Sequence, residues 1–333
     1  MTSQTVRWAV VGTSDFALDW IARGISLSSN ATVAAIVSRD AARGAAAAQR
    51  FGAGHTFPSI DAIDTTVVDG VFLVLPAALH AEYAIAAARR GLHVISEKPM
   101  APSVADCRRM IDAARAAGVV LAVAHCMEWT APMVQARALL AQGAIGEVVT
   151  AGISASFTAT PDPTWQHDDM PQRGAGALVD MGVHAVDGIT RLLGPVRRVA
   201  ALSGTRLPAY AGDRSATLLL DFASGVHGVL QSHYTCYQNG LELQGTEGRI
   251  WSSEWWGREF AGTLHLQRGD EVTTWQLPRV NVYVPQIEHV SQCVLSGATP
   301  VISGERGMAN MAVIEAGLLA ARGGGWVDVP AGQ

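Results

Sequence analysis

The segment GALVDMGVH, residues 176–184, places a carboxylate and an imidazole four positions apart in an otherwise apolar stretch. If the segment is helical, Asp180 and His184 project from the same face. An imidazole can carry a proton to or from a substrate hydroxyl, and a neighbouring carboxylate can orient and polarise it. The same spacing also fits a hydrogen-bonded core helix, so other segments must decide between the two interpretations.

The first turn of the chain, VVGTSDFALDW, has the pattern of a phosphate-binding loop. A strand ends at Gly12 and a helix begins near Asp15, which would direct the N–H groups and the positive end of the helix dipole at an anion. In the dinucleotide fingerprint G-x-G-x-x-G/A, Ser14 replaces the second glycine; it takes some space but offers a hydroxyl to a phosphate. An ordinary strand-to-helix turn is the alternative. The residues predicted to hold the phosphates are Gly12, Thr13, Ser14, Asp15, Phe16 and Ala17.

The end of the second predicted strand indicates which dinucleotide binds. Sites for NAD place an Asp or Glu there to bind the ribose 2′-hydroxyl. This chain has Ser38 followed by Arg39, with Arg43 one helical turn later. A hydroxyl and two guanidinium groups suit a 2′-phosphate, which a carboxylate would repel. The segment therefore favours NADP, while Asp40 keeps NAD open.

A lysine stands at the end of another predicted strand, in the tripeptide Glu97-Lys98-Pro99. The proline keeps Lys98 out of the helical region and also permits a cis peptide bond. Ligands bind at the carboxyl ends of strands in open α/β sheets, and Pro76 ends a neighbouring strand in the same way. A solvated surface lysine is the alternative interpretation.

The elements that must position these residues alternate between strand and helix through the first third of the chain. Short apolar segments rich in β-branched residues predict strands, and the stretches between them predict helices, one of them with Ser103 as its N-cap. This alternation predicts a doubly wound parallel sheet with helices on both faces. The predicted strands are 6–11, 33–38, 70–75, 93–96 and 119–124, and the predicted helices are 17–27, 41–51, 80–90 and 104–117.

Length and composition limit the class of protein. A chain of 333 residues predicts two domains, and a net charge of −5 argues against a nucleic-acid surface. No apolar run is long enough to span a membrane, and the strand pattern begins too early to leave room for a signal peptide. Four dispersed cysteines without a CxxC pair predict reduced thiols in the cytoplasm, with neither a disulfide framework nor a metal site.

Four motifs, in this order and at this spacing, resemble those of the Gfo/Idh/MocA oxidoreductases. They are the G-x-S-x-x-A turn, P-x-x-L-H at 76–80, E-K-P at 97–99 and GAGALVDMGVH at 174–184. The segments RWAVVGTS, SRDAARGAAAA, LQGTEG and NVY are similar to those of 1,5-anhydro-D-fructose reductases within the family. The resemblance covers nearly the whole chain. It implies an α/β protein of two domains. The N-terminal one would be a Rossmann domain with a doubly wound parallel sheet, and the C-terminal one an α/β domain with a large, mostly antiparallel open-faced sheet.

The second half of the chain fits that architecture. From Glu147 onward strand-like segments dominate, separated by turns, and residues 304–324 predict a long helix that glycines end. The expected division is a dinucleotide-binding Rossmann domain, 1–125, and a substrate and oligomerisation domain, 126–333. The predicted strands of the second domain are VVTAGISASF, RRVAAL, ATLLLDF, GVLQSHY, LELQGT, TLHLQR and VTTWQL.

The resemblance also implies roles for the motifs. Lys98, Asp180 and His184 would face the nicotinamide from opposite domains as the catalytic set, in which Lys98 or His184 moves the proton and Asp180 orients His184. Hydride would pass between the nicotinamide of NADP, or of NAD, and a carbon of a sugar, keto-sugar or cyclic polyol. The further cofactor contacts that the family implies are Leu75, Pro76, Ala77, Leu79, His80, Glu97, Lys98, Trp165 and Tyr283, beside residues 12–17, Ser38, Arg39 and Arg43.

The chain departs from the family pattern at three positions. Ala77 and Ala124 stand where many members or relatives of the reductases have Asn, which removes polar groups near the expected cofactor. Glu128 stands where an Arg often precedes the second domain, which reverses a charge near the expected substrate. The identity of the substrate is therefore open.

The second domain is expected to carry a subunit interface. A sheet covered by helices on one face leaves the other face bare, and bare apolar patches mark interfaces, so we expect a homodimer or homotetramer. Alternating segments such as LELQGT and TLHLQR would supply that face. The cluster Trp251, Trp255 and Trp256 is expected to pack in the sheet or at a subunit contact, with a sugar-stacking platform as the alternative.

Two other functions fit the same motifs. One is a glycosidase of this superfamily, in which a tightly held NAD oxidises the sugar transiently and is regenerated in each turnover. Net consumption of the cofactor would separate it from a dehydrogenase. The other is a non-catalytic dinucleotide-binding regulator, against which the intact Lys98, Asp180 and His184 argue. Neither a nucleic acid nor a membrane is expected as a partner.

Overall fold

The structure of the protein is a computed structural model, which describes residues 5–158, 176–204, 213–257 and 259–330. The chain divides into two compact units. The first unit comprises Met1–Ala124 and Tyr283–Met308, and the second comprises His125–Val282 and Ala309–Gln333. The sequence predicts a single boundary between residues 125 and 126, whereas in the structure Tyr283–Met308 also belongs to the first unit.

Six parallel strands form one sheet among the described residues of the first unit. In chain order they are β1 (Val6–Val11), β2 (Ala31–Val37), β3 (His55–Phe57), β4 (Gly70–Leu73), β5 (His93–Ser96) and β6 (Leu121–Val123). Their order in space is β3-β2-β1-β4-β5-β6. The order reverses beside β1, which is the doubly wound arrangement that the sequence predicts. The strands β1, β4 and β5 are almost wholly buried, as short apolar runs in a parallel sheet should be.

Helices connect these strands, and most begin and end where the sequence predicts. They are α1 (residues 17–27, wound as a π-helix over Ala17–Ala22), α2 (Ala41–Phe51), α3 (Ala77–Arg89) and α4 (Val104–Ala117). The predicted N-cap of α4 is confirmed, since Ser103 Oγ accepts a hydrogen bond from the Asp106 N–H at 3.1 Å. Helix α3 begins at Ala77 rather than His80, directly after Pro76.

Nine strands form a second sheet in the described part of the second unit. They are β7 (Val148–Ser156), β8 (Val196–Ser203), β9 (Ser215–Phe222), β10 (His227–His233), β11 (Leu241–Gly245), β12 (Arg249–Ser252), β14 (Thr263–Arg268), β15 (Glu271–Gln276) and β17 (Trp326–Asp328), while β13 (Glu259–Phe260) pairs with β16 (Val280–Asn281). The order is β15-β14-β12-β11-β7-β10-β9-β8-β17. Only the β7–β10 pair is parallel among these described strands, so the mostly antiparallel sheet is confirmed.

The two helices α5 (Ala131–Ala141) and α6 (residues 178–193, wound as a π-helix over Leu178–Gly182) pack on strands of this sheet. The strand leucines beneath them, Leu243 and Leu264, are fully buried. Because side chains alternate along a strand, β11 and β14 direct polar residues such as Glu242 and His265 to the open face. LELQGT and TLHLQR therefore supply the open face with polar side chains. Its exposed apolar residues lie on other strands and include Leu202, Leu219 and Val229.

The segment that returns to the first unit carries helix α7 (Tyr283–Ser296) and the start of α8 (Gly304–Gly323), the predicted long helix. Helix α7 packs closely on α1, since a Cβ on Gly24 would lie 3.0 Å from Ile287 Cδ1. The indole N–H of Trp8, a fully buried residue of β1, donates to Ser291 Oγ at 3.0 Å. Helix α7 therefore completes the core of the first unit.

Two findings concern membrane crossing and the cysteines. Within the described ranges, no helix combines the length and the apolar character that a membrane crossing requires. All four cysteines lie in described residues and carry free thiols.

Candidate active site

The predicted cofactor residues of the first unit lie where its strands end. Residues 12–17 follow β1, residues 38–43 follow β2, residues 75–80 follow β4, and residues 97–98 follow β5. All four strands are parallel, so these segments meet at the carboxyl edge of the sheet. Open α/β sheets bind their ligands at this edge.

The turn after β1 requires glycine at its first position. Gly12 has a φ of +117°, and a Cβ there would lie 2.5 Å from the Val74 carbonyl oxygen, so a side chain would both strain the backbone and collide. Ser14 is exposed, and its Oγ accepts a hydrogen bond from the Ala17 N–H at 3.2 Å. Because Oγ accepts that bond, its O–H can still donate to a phosphate. The close approach of the Gly12 backbone to Val74 and the exposed Ser14 and Asp15 just before α1 fit the pyrophosphate of a dinucleotide.

The residues after β2 divide into a cap and two exposed cations. Asp40 caps α2, since its Oδ1 accepts a hydrogen bond from the Arg43 N–H at 3.0 Å. Ser38 Oγ in turn accepts from the Asp40 N–H at 3.2 Å. The exposed Arg43 guanidinium reaches the phosphate turn and donates to the Thr13 carbonyl at 2.7 Å, and Arg39 is exposed. The carboxylate of Asp40 is thus engaged with its helix, while the guanidinium groups stand at the strand end.

His80 of the P-x-x-L-H motif holds two strand ends together. Its ring is fully buried, with Nδ1 2.9 Å from the Pro99 carbonyl oxygen and Nε2 2.8 Å from the Leu75 carbonyl oxygen. Burial lowers the pKa of His80, so the ring is neutral near pH 7 and donates its N–H to one of these carbonyls. His80 therefore supports the turns after β4 and β5 from within. In the same helix Ala77 is buried and Leu79 is half-buried.

Lys98 lies in the turn after β5. The Lys98–Pro99 peptide bond is cis, one of the two isomers that the sequence allows. Glu97 is buried, and the Lys98 backbone N–H donates to Glu97 Oε2 at 3.1 Å. The Lys98 side chain is half-buried. This turn fixes the base of the lysine at the carboxyl edge of the sheet.

Tyr283 lies at the start of α7 and packs on the first helix. Its ring centroid is 6.0 Å from that of Phe16, edge to face, and 6.0 Å from that of Trp20. These contacts place Tyr283 beside the turn that follows β1, although its contact with a cofactor stays a prediction. Trp165, the other aromatic residue predicted to bind the cofactor, lies outside the described residues.

In the second unit, Asp180 and His184 share one helix, α6, at the four-residue spacing that the sequence predicts. Asp180 is half-buried and His184 is 6% exposed. The phenolic O–H of the buried Tyr234, which follows β10, donates to Asp180 Oδ2 at 2.9 Å. A buried phenol thus holds the carboxylate in place. The sequence offers no sign of this role, since Tyr234 ends an ordinary strand segment.

The tryptophan cluster divides into three roles. The ring of Trp256 stacks on that of His184, with centroids 5.9 Å apart and planes at 13°. Trp255 is fully buried and packs in the core. Trp251 stacks on His265 in the neighbouring strand β14. Sheet packing accounts for Trp255 and Trp251, but Trp256 lies against a predicted catalytic residue.

Asp213 anchors the first turn of α6. Its Oδ2 accepts a hydrogen bond from the Leu178 N–H at 3.1 Å, and its backbone carbonyl accepts one from the Ala177 N–H at 3.0 Å. Burial raises the pKa of this carboxyl. A carboxylate at a helix N-terminus satisfies N–H groups and complements the helix dipole. The helix that carries Asp180 and His184 therefore starts from a fixed point.

Buried polar groups tie α6 to α8 further along. Asn310 Nδ2 donates to Asp187 Oδ1 at 2.8 Å and lies 3.2 Å from His125 Nε2. All three side chains are at most 2% exposed. Because breaking a buried hydrogen-bond network costs more than breaking an exposed one, these contacts fix the packing of α6.

Glu128 does not present an isolated negative charge. It is buried, and its carboxylate binds Arg137 and accepts hydrogen bonds from Arg191 Nε at 3.1 and 3.2 Å. Two guanidinium groups therefore offset the charge reversal that the sequence suggested near the substrate.

Comparison with known proteins finds the same family in both halves of the chain. Residues 6–125 match the profile of the GFO_IDH_MocA oxidoreductase family, NAD-binding Rossmann fold. Residues 133–251 match the GFO/IDH/MocA C-terminal domain. The chain belongs to the Gfo/Idh/MocA oxidoreductase family. It is an NAD(P)-dependent oxidoreductase, as the sequence predicts.

Relatives of this Gfo/Idh/MocA oxidoreductase are named for reactions on sugars. The chain is 28% identical over 331 residues to 1,5-anhydro-D-fructose reductase of Ensifer adhaerens, across 98% of this chain and 99% of that protein. It matches the crystal structure of aldose-aldose oxidoreductase from Caulobacter crescentus complexed with glycerol, with a TM-score of 0.92 and 27% identity over 98% of this chain and 100% of that one. A 3-ketoreductase from Actinomadura kijaniata, in complex with NADP and TDP-benzene, matches with a TM-score of 0.85 and 26% identity over 95% of this chain and 98% of that one.

Proposed function

We propose that this oxidoreductase uses NADP to transfer hydride between the nicotinamide and a carbon of a sugar, keto-sugar or cyclic polyol. The observation that carries the proposal is the Asp180–His184 pair. Tyr234 donates a hydrogen bond to the Asp180 carboxylate. His184, one helical turn after Asp180, is buried against the indole of Trp256. Such a pre-oriented acid–imidazole pair suits proton transfer to or from a substrate oxygen. The relatives that carry sugar names support the substrate class.

The end of β2 supports NADP over NAD. The guanidinium groups of Arg39 and Arg43 can bind a 2′-phosphate with charge-assisted hydrogen bonds. Asp40, the carboxylate that could instead accept the 2′-hydroxyl of NAD, already caps α2. The 3-ketoreductase from Actinomadura kijaniata was crystallised with NADP, which agrees with this preference.

The chain's own residues would divide the work between binding and proton transfer. Residues 12–17 would hold the pyrophosphate at the start of α1, and the bound nicotinamide would supply the hydride chemistry. Either Lys98 or His184 would move the proton of the substrate oxygen, donating it in reduction and accepting it in oxidation. Asp180, held by Tyr234, would orient His184.

A panel of sugars, keto-sugars and cyclic polyols tests the proposal directly. Each compound is incubated with NADP, NADPH, NAD or NADH, and the absorbance of the reduced nicotinamide is followed together with product formation. We expect at least one compound to change the NADP(H) signal in proportion to product. Conversion of a sugar without net cofactor change would instead indicate the glycosidase. Dinucleotide binding without turnover of any compound would indicate the regulator.

We further propose that the protein forms a homodimer or homotetramer through the open face of the second sheet. That face exposes Leu202, which is 76% exposed, together with Leu219 and Val229. Exposed apolar clusters of this kind mark interfaces. Light scattering at micromolar concentration should give a multiple of the chain mass, and Leu219→Asp should lower it; a monomeric wild type would contradict the proposal. The cytoplasmic location stays a prediction.

A further inference from the structure

Two consecutive tryptophans after β12 pack on positions one turn apart in α6. A Cβ on Gly188 would lie 3.1 Å from the Trp255 ring, so glycine lets that ring approach the helix. The Trp255 indole N–H donates to the Ser154 carbonyl at 2.7 Å, and the side chain is fully buried. Trp255 is thus a fixed anchor, and it sets the position of its neighbour Trp256.

Trp256 is held at both its ring and its N–H. Its indole N–H donates to Asn239 Oδ1, which also accepts a hydrogen bond from the Ser156 N–H at 2.9 Å. Asn239 is itself 2% exposed. The indole plane is therefore fixed by a buried amide that is bonded to the central strand β7. The ring of His184 lies nearly parallel to this plane, at 13°.

We propose that Trp256 is a positioning residue that sets the plane of the His184 imidazole. The inference rests on the proposed function, in which His184 moves the substrate proton. A histidine ring can rotate about its terminal torsion, whose preference is broad. Packing nearly parallel to a fixed indole, with the ring centroids 5.9 Å apart, restricts that rotation. Asp180, one turn earlier in the same helix, then orients the imidazole. The ring nitrogen that exchanges a proton with the substrate therefore points in a fixed direction.

The chain contains a matched control for this stack. On the open face of the sheet, Trp251 stacks on His265 with centroids 4.8 Å apart and planes at 17°. The same pair of residue types meets there at a similar angle, but outside the predicted site. Trp251→Leu therefore removes an indole–imidazole stack from the same unit without changing a residue assigned to the cofactor or to proton transfer. Because that face is also the proposed subunit interface, light scattering compares the mass of Trp251→Leu with that of wild type.

The first measurement follows the imidazole without any substrate. Ring carbon–proton NMR signals of labelled histidines are recorded for wild type, Trp256→Leu, Trp256→Phe and Trp251→Leu, with His184→Ala to assign the signal of His184. We expect the indole to shift the His184 signal upfield, Trp256→Leu to remove that shift, and Trp256→Phe to keep part of it. Trp251→Leu should move His265 alone. An unchanged His184 signal in Trp256→Leu overturns the proposal whatever the enzyme's substrate.

The second measurement uses a substrate found in the panel. A small displacement of a reacting group costs up to about a hundredfold in rate, so we expect kcat to fall roughly ten- to a hundredfold in Trp256→Leu. KM and the affinity for NADP should change much less, Trp256→Phe should recover most of kcat, and Trp251→Leu should match wild type. Circular dichroism and thermal unfolding show whether each variant folds. If Trp256→Leu does not fold, the NMR shift and kcat of Trp256→Phe decide the proposal. A lost NMR shift with unchanged kcat overturns the positioning role. Wild-type turnover in His184→Ala would instead refute the proposed function.

Discussion

Arg43→Ala is the substitution that tests cofactor choice most directly. Arg43 projects from α2 beside the phosphate turn and is exposed, with one guanidinium N–H already bonded to the Thr13 carbonyl at 2.7 Å. A guanidinium has five N–H donors, so that bond anchors the group while other donors remain for a 2′-phosphate. Its loss should affect NADP, which has that phosphate, and leave NAD nearly unchanged.

The expected magnitude follows from the kind of bond that is lost. A hydrogen bond to a charged group contributes about 1.5–3 kcal/mol, and an exposed pair lies at the lower end because water and salt screen it. Arg43→Ala should therefore weaken NADP binding by about ten- to a hundredfold, with the expected loss nearer tenfold. The loss should shrink as the ionic strength rises, because the interaction is screened.

Titration of NADP and NAD, followed by quenching of tryptophan fluorescence, measures the effect on each cofactor. Arg50→Ala is the matched control: it removes the same charge from α2, but Arg50 pairs with Asp19 at 2.5 Å, away from the 2′-phosphate position. Equal losses for both cofactors, an equal loss in Arg50→Ala, or a wild-type preference for NAD would refute the reasoning.

Three further predictions concern turnover and stability. Lys98→Met and His184→Ala should each lower turnover by roughly 10²–10⁴ while keeping NADP affinity; near-wild-type rates in both would show that the proton moves elsewhere. Asp180→Ala should lose less than His184→Ala in the same assay if Asp180 only orients the imidazole, so an equal loss would assign it a direct role. Burial lowers the pKa of His93 from its usual 6.5, and its Nδ1 accepts the Val120 N–H at 3.0 Å. The unfolded chain therefore binds a proton on the His93 imidazole more readily than the folded protein does. The free energy of unfolding in urea should fall as the pH drops below about 6.5, and it should fall less steeply in His93→Gln. Equal slopes in the two proteins would contradict this.

Local signals predict the first unit well where they are strong. The predicted bounds of β1, β5 and α4 are the observed ones. Their signals, short apolar runs for the strands and the Ser103 N-cap for the helix, depend only on neighbouring residues. The strand β3 is missed because two of its three residues are exposed and show no alternation. Helix α7 is missed because its first turn contains Pro285 and its polar face interrupts the apolar period.

The site divides in the same way between local and distant information. The four-residue spacing identifies Asp180 and His184, and a following proline identifies Lys98. Tyr234 lies 54 positions from Asp180, its hydrogen-bond partner, and Trp256 reaches His184 through the folding of another strand end. Such contacts depend on sheet register and on where loops return, which no short segment of the chain encodes.

The return of Tyr283–Met308 to the first unit bears on how the protein matures on the ribosome. Trp8 and its partner Ser291 are 283 positions apart, which at about 5–20 residues per second separates their synthesis by roughly 15–60 s. During that interval the nascent dinucleotide-binding unit exposes the surface of α1 that α7 later covers, including the groove at Gly24. Most of the second sheet is made in the meantime. The first unit to be started is therefore among the last to be finished, and a nascent chain that stalls before residue 283 would present an uncovered apolar surface to chaperones.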